Sequence, residues 1–233
     1  MRSRRSSATR PAIDASGPVL DRGRLSADSL AAARALLGSR LVRAADDEKL
    51  GPSVGRIVEV EAYIGAADLA SHARFGQTDR NRVMFGPAGI AYVYLVYGMY
   101  HCLNVVTGPD GDPAAVLIRA VEPIAGIEAM RARRVAARHP RRRTPVTDAR
   151  LASGPGLVCL AFGLDRSLTG TDLCDPTAPV RLLAPDPAAS PPRVVATPRI
   201  GIAYAGEPWA SRPWRLLDAD SPSVSGPARL RRG

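Results

Sequence analysis

The stretch R-I-V-E-V-E-A-Y at residues 56–63 decides how the rest of the chain folds. β-Branched and polar residues alternate from Val54 to Tyr63, so the pattern predicts a β-strand in which side chains two apart share a face. One face carries Val58, Val60 and Ala62, and the more polar face carries Glu59, Glu61 and Tyr63. Strand ends often carry function. A glutamate and a tyrosine at this strand end are therefore the first candidates for a functional site.

A second alternating stretch, I-A-Y-V-Y-L-V-Y-G-M-Y-H-C-L-N-V-V at residues 90–106, predicts a β-hairpin. The Gly98-Met99 pair fits a two-residue type II′ turn, which puts Tyr97 and Tyr100 beside the tip. Tyrosines with this spacing are more often packed across strands than used to bind a ligand. A large ring at an exposed tip has little of its own protein to pack on, so Tyr97 stays a candidate binding residue.

The remaining segments are short and mostly alternating, which predicts many strands and few helices. Helices are predicted from a possible N-cap at Ser26 to Gly38, over residues 126–137 and from Ser153 onward. Further strands are predicted at 41–45, 114–121, 180–184, 193–203 and 214–218. We therefore expect an α+β fold, a single mixed domain with a curved, largely antiparallel sheet, flanking helices and a protruding β-hairpin. Residues 1–22 are predicted to be a disordered basic tail, 23–222 the domain, and 223–233 a frayed C-terminal tail.

Composition narrows the class of protein. The net charge of +10 indicates an acidic partner such as a phosphate polymer. The basic residues are arginine apart from Lys49, so genome composition explains part of that charge. Three cysteines without C-x-x-C spacing predict neither a disulfide scaffold nor a zinc site. The chain has no secretory signal and no apolar run long enough for a transmembrane helix, so a cytoplasmic location is expected.

Polar residues between the first strand and the hairpin predict a loop. Thr78, Arg80 and Arg82 suit contacts to phosphates, although a solvated loop explains the same residues. His72 in the same region, taken alone, is more often a structural hydrogen-bonding residue than a functional one. Arg119 lies between apolar neighbours on the predicted strand 114–121, which is costly unless it is paired. Glu61 is its candidate partner.

Several sequence blocks together resemble the alkyladenine (3-methyladenine) DNA glycosylase family. They are E-A-Y at 61–63, H-A-R at 72–74, T-D-R-N-R at 78–82, the hairpin sequence, V-L-I-R-A-V-E-P at 116–123, S-G-P at 153–155 and R-I-G-I at 199–202. The resemblance is collinear over about residues 25 to 220. Several blocks at matching spacing are far more specific than one short motif.

The resemblance implies a role for each candidate residue. Glu61 matches the carboxylate that activates water, and Arg119 matches the arginine that helps to hold that water and a nearby phosphate. The positions that match base-binding residues are Tyr63, His72, Tyr94 and Asn104, of which Asn104 excludes guanine. Tyr97 matches the side chain inserted into the duplex. Candidate contacts to the DNA backbone are Thr78, Arg80, Arg82, Met99 and Tyr100. No metal and no organic cofactor are implied.

The predicted function is therefore a monofunctional DNA glycosylase acting in base excision repair. It flips alkylated or deaminated purines out of double-stranded DNA and hydrolyses the N-glycosidic bond, leaving an abasic site. The expected partner is duplex DNA that contains damaged purines, with no membrane, no metal and a monomeric enzyme. Two other classes remain open from the residues alone: a non-catalytic nucleic-acid-binding module and a hydrolase of free nucleosides. Dependence of activity on the duplex separates these classes.

Overall fold

A computed structural model describes residues 15–45, 49–137 and 146–227 of the 233-residue chain. Residues 1–14, which belong to the predicted N-terminal tail, and residues 46–48, 138–145 and 228–233 lie outside these ranges. In the part of the chain that is described, no helix is long and apolar enough to cross a membrane.

A single eight-stranded sheet forms the centre of the molecule, and its strand pairings are antiparallel. The strands are β1 (Arg40–Arg43), β2 (Ser53–Tyr63), β3 (Ala91–Val96), β4 (Tyr100–Val106), β5 (Ala115–Ala125), β6 (Val180–Leu183), β7 (Val194–Thr197) and β8 (Arg215–Asp218). The helices are α1 (Gly23–Ser26), α2 (Ser29–Leu36), α3 (Ile127–Ala136) and α4 (Pro155–Phe162). The predicted α+β fold with one mixed domain and a curved antiparallel sheet is confirmed.

Strand β2 organises the sheet because it pairs with three other strands. Along the main path the order is β3-β4-β5-β2-β1-β6, and β5 follows one edge of β2 for most of its length. The other edge pairs first with β1, over residues 53–56, and then with β8, over residues 59–61. Strands β5 and β8, from distant parts of the sequence, thus flank β2 where it carries its glutamates.

The main apolar core lies between the sheet and the longer helices. Buried side chains of α2 and α4, such as Leu36 and Phe162, form one cluster with Ile57 and Val60 of β2 and Ile118 of β5. The helix predicted from Ser26 is α2, and it begins at Ser29 because its N-cap is Asp28, which accepts a hydrogen bond from the Leu30 amide at 2.7 Å. Ser26 is instead the last residue of α1.

A β-bulge changes the predicted faces of β2. The pairing with β5 shifts register between residues 57 and 60, and the two-residue alternation is therefore broken at this point. Val60 and Ala62 lie in the main core as predicted, but Val58 lies in a different apolar cluster with Leu217 and Val224. The prediction that Val58 shares a face with Val60 was wrong, because a strict two-residue alternation does not allow for the extra residue that a bulge inserts.

The hairpin β3–β4 forms with a different turn from the predicted one. Val96 pairs with Tyr100, and the Met99 amide bonds to the Val96 carbonyl at 3.1 Å. Tyr97 and Gly98 are therefore the central turn residues, with φ of 52° and 67°. Positive φ at both is the signature of a type I′ turn, so the predicted type II′ turn at Gly98-Met99 was placed one residue too late.

Packed residues extend past both ends of the predicted domain, 23–222. Val19 makes a β-bridge with Leu183, and Leu20 is fully buried, so the fold begins before residue 23. At the other end Ser223 and Val224 are also fully buried, so the fold continues past residue 222. The strand predicted at 193–203 ends at Thr197 instead, because Pro198 has no amide hydrogen to continue the pairing.

Gly126 offers a test of how β5 joins α3. Its φ is 69°, and a Cβ there would lie 2.4 Å from the Pro52 carbonyl oxygen. Gly51 has a similar φ of 66°, but a Cβ there would meet nothing within 4 Å. We expect Gly126→Ala to lower the free energy of unfolding by about 3 kcal/mol, from backbone strain plus overpacking, and Gly51→Ala by about 1 kcal/mol from strain alone. Urea denaturation measures both, and equal losses would contradict the predicted clash.

Candidate active site

Glu61, at the end of β2, is fully buried and is bonded from three sides. The Ile200 amide donates to its Oε1 at 2.7 Å, and the Tyr63 hydroxyl donates to its Oε2 at 3.0 Å. Arg119 approaches Oε2 through Nη1 at 3.2 Å. All three partners are donors, so the site holds this side chain as a hydrogen-bond acceptor in one fixed position.

Arg119 reaches Glu61 from the neighbouring strand β5, as the sequence predicted. The Nε of Arg119 also donates to Glu59 Oε1 at 3.0 Å, a contact that was not predicted. Burial alone would lower the pKa of Arg119, but the charges of Glu61 and Glu59 outweigh it and raise the pKa above its usual value. The guanidinium therefore stays charged beside Glu61.

Glu59 is fully buried and has four hydrogen bonds of its own. Besides Arg119, its partners are Arg215 Nε on β8 at 2.7 Å, the Ser225 amide at 2.6 Å and the Ser225 hydroxyl at 2.9 Å. Sequence reasoning placed Glu59 beside Glu61 on the polar face but gave it no partner. Two carboxylates two residues apart on one strand would each need a cationic partner if buried, so the sequence did indicate that a second arginine was required.

A stacked column of side chains supports Tyr63 from behind. The Arg199 guanidinium lies 4.6 Å from the Tyr63 ring centre and 4.9 Å from the Trp214 ring. Arg212 continues the column on the far side of Trp214 at 4.9 Å and meets Trp209 at 5.0 Å. This stacked column, Tyr63–Arg199–Trp214–Arg212–Trp209, fixes the plane of the Tyr63 ring.

The buried Arg199 is held by the carboxylate of Asp68 and by backbone. Its Nη2 donates to Asp68 at 2.9 Å, and its Nη1 donates to Asp68 and to the Ala62 carbonyl. Burial raises the pKa of Tyr63 well above its usual value, and the Glu61 charge adds to this effect. The phenol is therefore a hydrogen-bond donor at neutral pH. Neither Arg199 nor Asp68 was singled out from the sequence.

An open cleft of about 500 Å³ lies over this group and leads to a small inner cavity of about 50 Å³. Tyr63, His72, Tyr94 and Tyr204 line both spaces. Arg119 and Ile200 line the cleft, and Asn104 lines the inner cavity. The structure thus brings the predicted base-binding residues together around one opening. Tyr204 was missed by the sequence analysis.

The polar groups of the inner cavity are held by local hydrogen bonds. Nδ1 of His72 lies 3.1 Å from the Tyr92 hydroxyl, and its ring meets the Tyr94 ring edge-on at 4.4 Å between centres. The Asn104 amide nitrogen donates to the Tyr92 carbonyl at 3.2 Å and, at 3.5 Å, to the Cys102 carbonyl. The Asn104 amide nitrogen therefore bonds to local backbone, and its Oδ1 takes part in neither bond.

Cys102 also lines the cleft, yet it is not an activated thiol. Burial raises the pKa of the Cys102 thiol to about 11, although Arg119 opposes this shift. The thiol is therefore protonated at neutral pH and is no nucleophile. Among the described residues no group of three or more His, Cys, Asp or Glu side chains is arranged to hold a metal ion.

The hairpin tip presents an exposed ring at the edge of the cleft. Tyr97 lines the cleft with 88% of its surface exposed, and within the described ranges it is the only residue other than glycine with positive φ. Met99 is also exposed. Tyr100 differs, because it packs against α4, where a Cβ on Gly156 would lie 2.9 Å from the Tyr100 Cβ. Packing therefore explains Tyr100 as well as a contact to DNA does.

The predicted phosphate-binding loop lies on the hairpin side of the cleft. Arg80 donates to the Leu95 carbonyl at 3.3 Å and lies 5.5 Å from the Tyr94 ring centre. The Thr78 amide donates to Asn81 at 2.6 Å, which fixes the loop, while the Arg82 side chain is largely exposed. Arg80 is thus placed at the cleft, whereas the exposed Arg82 side chain lies 3.9 Å from Asp79.

Comparison with known proteins identifies the family of this chain. The sequence model of the methylpurine-DNA glycosylase family matches residues 24–222. This range includes every residue predicted for the site, and Ser225, which bonds to Glu59, lies just outside it. The chain therefore belongs to the methylpurine-DNA glycosylase family. It is accordingly a hydrolase of N-glycosyl bonds with a role in DNA repair.

Similar proteins from microorganisms support this assignment over most of the chain. A protein from Methanocella arvoryzae is 51% identical over 89% of this chain and 96% of its own length. Proteins from Myxococcus xanthus and Nocardia farcinica are each 47% identical, over 88% and 85% of this chain and 92% and 86% of their own lengths. All three are provisionally named 3-methyladenine DNA glycosylases.

His72 provides a test of the electrostatics of the cavity. Burial and, secondarily, the charges of Arg80 and Arg74 lower the pKa of His72 to about 4. Between pH 6.5 and 4 the unfolded chain then binds a proton that the folded protein does not, so stability falls as the pH drops through this window. We expect the ring to remain neutral at pH 5.5–8. NMR titration, with signals assigned through His72→Gln, checks this expectation, and a midpoint near 6.5 would contradict it.

Proposed function

We propose that this protein removes alkylated or deaminated purines from duplex DNA by flipping the damaged nucleotide and hydrolysing its N-glycosidic bond. One observation carries the proposal: a single cleft is lined by Tyr63, by Arg119 in contact with Glu61, and by the exposed ring of Tyr97. A pocket for a base, a group for the chemistry and a side chain able to fill a gap in the duplex therefore share one opening.

Glu61 is the proposed general base. Cleavage of a glycosidic bond passes through a state with positive charge on the sugar. A carboxylate beside that sugar both activates the attacking water and stabilises the charge. Three donors already fix the Glu61 carboxylate, so little reorganisation is needed during the reaction. Arg119, the one cation among these donors, is suited to hold the water or a phosphate next to the sugar.

The flipped base would stack in the cleft between aromatic rings. Tyr63 and Tyr94 present ring faces, and stacking on such a ring is worth about 1–3 kcal/mol for each base. A π-face also attracts a base that carries positive charge after alkylation. His72 is neutral at physiological pH and so does not repel such a base. Asn104 keeps its Oδ1 for the base edge, which suits its proposed role in excluding guanine.

The reaction is proposed to stop at an abasic site. Cleavage of the DNA strand by a glycosylase needs an amine nucleophile that forms a Schiff base. Lys49, the only lysine of the chain, precedes the start of β2, whereas Glu61 lies near the other end. The eight residue-to-residue steps from Ser53 to Glu61 alone span about 26 Å of extended strand. Lys49 is therefore too far from the cleft to attack the sugar.

The remaining parts of the proposal concern the partner. The enzyme acts as a monomer on double-stranded DNA, without a metal ion or an organic cofactor. Arg80, which lines the cleft, is proposed to contact the phosphate backbone together with Thr78, Arg82 and Met99. Such contacts position the protein without reading sequence, which suits an enzyme that must find lesions in any sequence context.

Glu61→Gln is the first test of this function. We expect base release from a duplex with a single hypoxanthine or ethenoadenine, and from alkylated DNA, to fall about 10²- to 10⁴-fold because the general base is lost. Binding to the duplex should persist. Single-turnover release and gel-shift assays measure these quantities, and the strand should stay intact until alkali is added.

The matched control for that test is Glu122→Gln. Glu122 lies on β5 and also pairs with an arginine, Arg56, at 2.9 Å, but Arg56 does not line the cleft as Arg119 does. Its variant should release bases at the normal rate. If the intact protein binds these duplexes and releases no base from any of them, the non-catalytic binding module is the correct function. If it acts equally well on free nucleosides, the hydrolase of nucleosides is correct.

Tyr97→Ala tests the role of the hairpin tip. The ring would fill the gap left by the flipped nucleotide and replace its lost stacking, and about 1–3 kcal/mol of stacking corresponds to about 5- to 150-fold in rate or affinity. We expect that loss on duplex substrate and little change on a single-stranded lesion, which has no stack to fill. Val135→Ala, at an exposed apolar residue of α3, is the control. An equal loss on both substrates would exclude a wedge.

A further inference from the structure

Four buried charges alternate in a line that ends at the proposed general base. Arg215 pairs with Glu59 at 2.7 Å, Glu59 with Arg119 at 3.0 Å, and Arg119 with Glu61 at 3.2 Å. We call these four residues the ion-pair chain. Three of its members, Arg215, Glu59 and Glu61, are at most 1% exposed, and the Arg119 side chain is 9% exposed. Arg119 is also the member that meets the cleft beside Glu61.

Glu59 itself does not line the cleft or the inner cavity. Its bonds go to Arg119, Arg215 and Ser225, so its carboxylate has no path to a bound nucleotide. Glu61 does not line these spaces either, but its partners Tyr63, Ile200 and Arg119 all line the cleft, whereas Arg215 and Ser225 do not. We therefore assign no direct chemical role to Glu59. Glu59 instead acts on Arg119. It accepts a hydrogen bond from the Nε of Arg119, while a different nitrogen of the same guanidinium, Nη1, faces Glu61.

We propose that Glu59 is a positioning residue for the glycosidic cleavage, acting through Arg119. Arginine has a long side chain with many rotamers, and holding it in one costs entropy. Glu59 fixes the guanidinium at Nε, and Arg215 with Ser225 fixes Glu59 in turn. Nη1 then has one orientation toward Glu61 and toward the cleft. The inference rests on the proposed function, since it concerns the rate of that reaction.

The charges of the ion-pair chain explain why Glu59 cannot be replaced by a neutral side chain without consequence. Two guanidinium groups and two carboxylates balance, and a buried charge left without its partner is costly. In Glu59→Gln the side-chain nitrogen of glutamine would also face donors. Arg119 would then lose its anchor at Nε, and a small displacement of a catalytic group lowers the rate steeply.

The test combines Glu59→Gln with Arg119→Met in a double-mutant cycle. Single-turnover base release and duplex binding are measured for the intact protein, each single variant and the double variant. We expect Glu59→Gln to slow release about 10- to 100-fold with unchanged duplex affinity. In the Arg119→Met background the same change should have no further effect, because its target is gone. A structural defect would slow release equally in both backgrounds and would overturn the proposal.

Two further variants keep the test decisive. Glu122→Gln is the matched control, since Glu122 also bonds to an arginine and to a serine of the C-terminal segment, Ser221 at 3.0 Å. Ser225→Ala removes one donor to Glu59 and leaves the four charges in place, so it carries the test if Glu59→Gln does not fold. We expect Ser225→Ala to slow base release less than Glu59→Gln does. In the Arg119→Met background it should cause no further slowing.

The outcomes separate the inference from the function on which it rests. If the intact protein releases bases and Glu59→Gln and Ser225→Ala do so at the normal rate, the inference is wrong and the proposed function stands. If the intact protein releases no base, the proposed function fails and the inference falls with it. Melting temperatures of all variants show whether each rate belongs to a folded enzyme.

Discussion

The cost of burying charge governs this structure. Two carboxylates on β2 lie in the interior, where an unpaired charge is strongly destabilising, so two arginines must reach them. Arg119 comes from β5 and Arg215 from β8, and this requires both strands to flank β2 at the same level. The bulge in β2 and the change of neighbour from β1 to β8 along one edge meet that requirement. Strand order and catalytic geometry are thus one constraint.

The candidate site depends on segments that are far apart in sequence. The Ile200 amide holds Glu61 across 139 residues, and Ser225 holds Glu59 across 166. Arg199, just before Ile200, is clamped by Asp68 and supports the Tyr63 ring. The carboxyl-terminal third of the protein therefore both lines the cleft, through residues between Ile200 and Tyr204, and fixes the groups that β2 and β5 supply.

Local sequence patterns predicted which residues form the candidate site better than they predicted the contacts that hold those residues in place. Alternation placed Glu61 and Tyr63 on one face, and the cost of burying Arg119 pointed to its pairing with Glu61. The turn of the hairpin was misplaced because a tyrosine rather than a glycine takes the positive φ, which propensity does not favour. The partners of Glu59 and the clamp on Arg199 could not be predicted, because they are contacts between distant segments that no local spacing encodes.

The stacked column has a practical consequence. Trp209 and Trp214 are the only two tryptophans of the protein, and both belong to the column behind Tyr63. Their emission therefore originates from one place, within two side chains of the surface on which a base would stack. The protein carries its own optical reporter beside the cleft, and a ligand that changes the surroundings of Tyr63 can be followed in real time without an added dye.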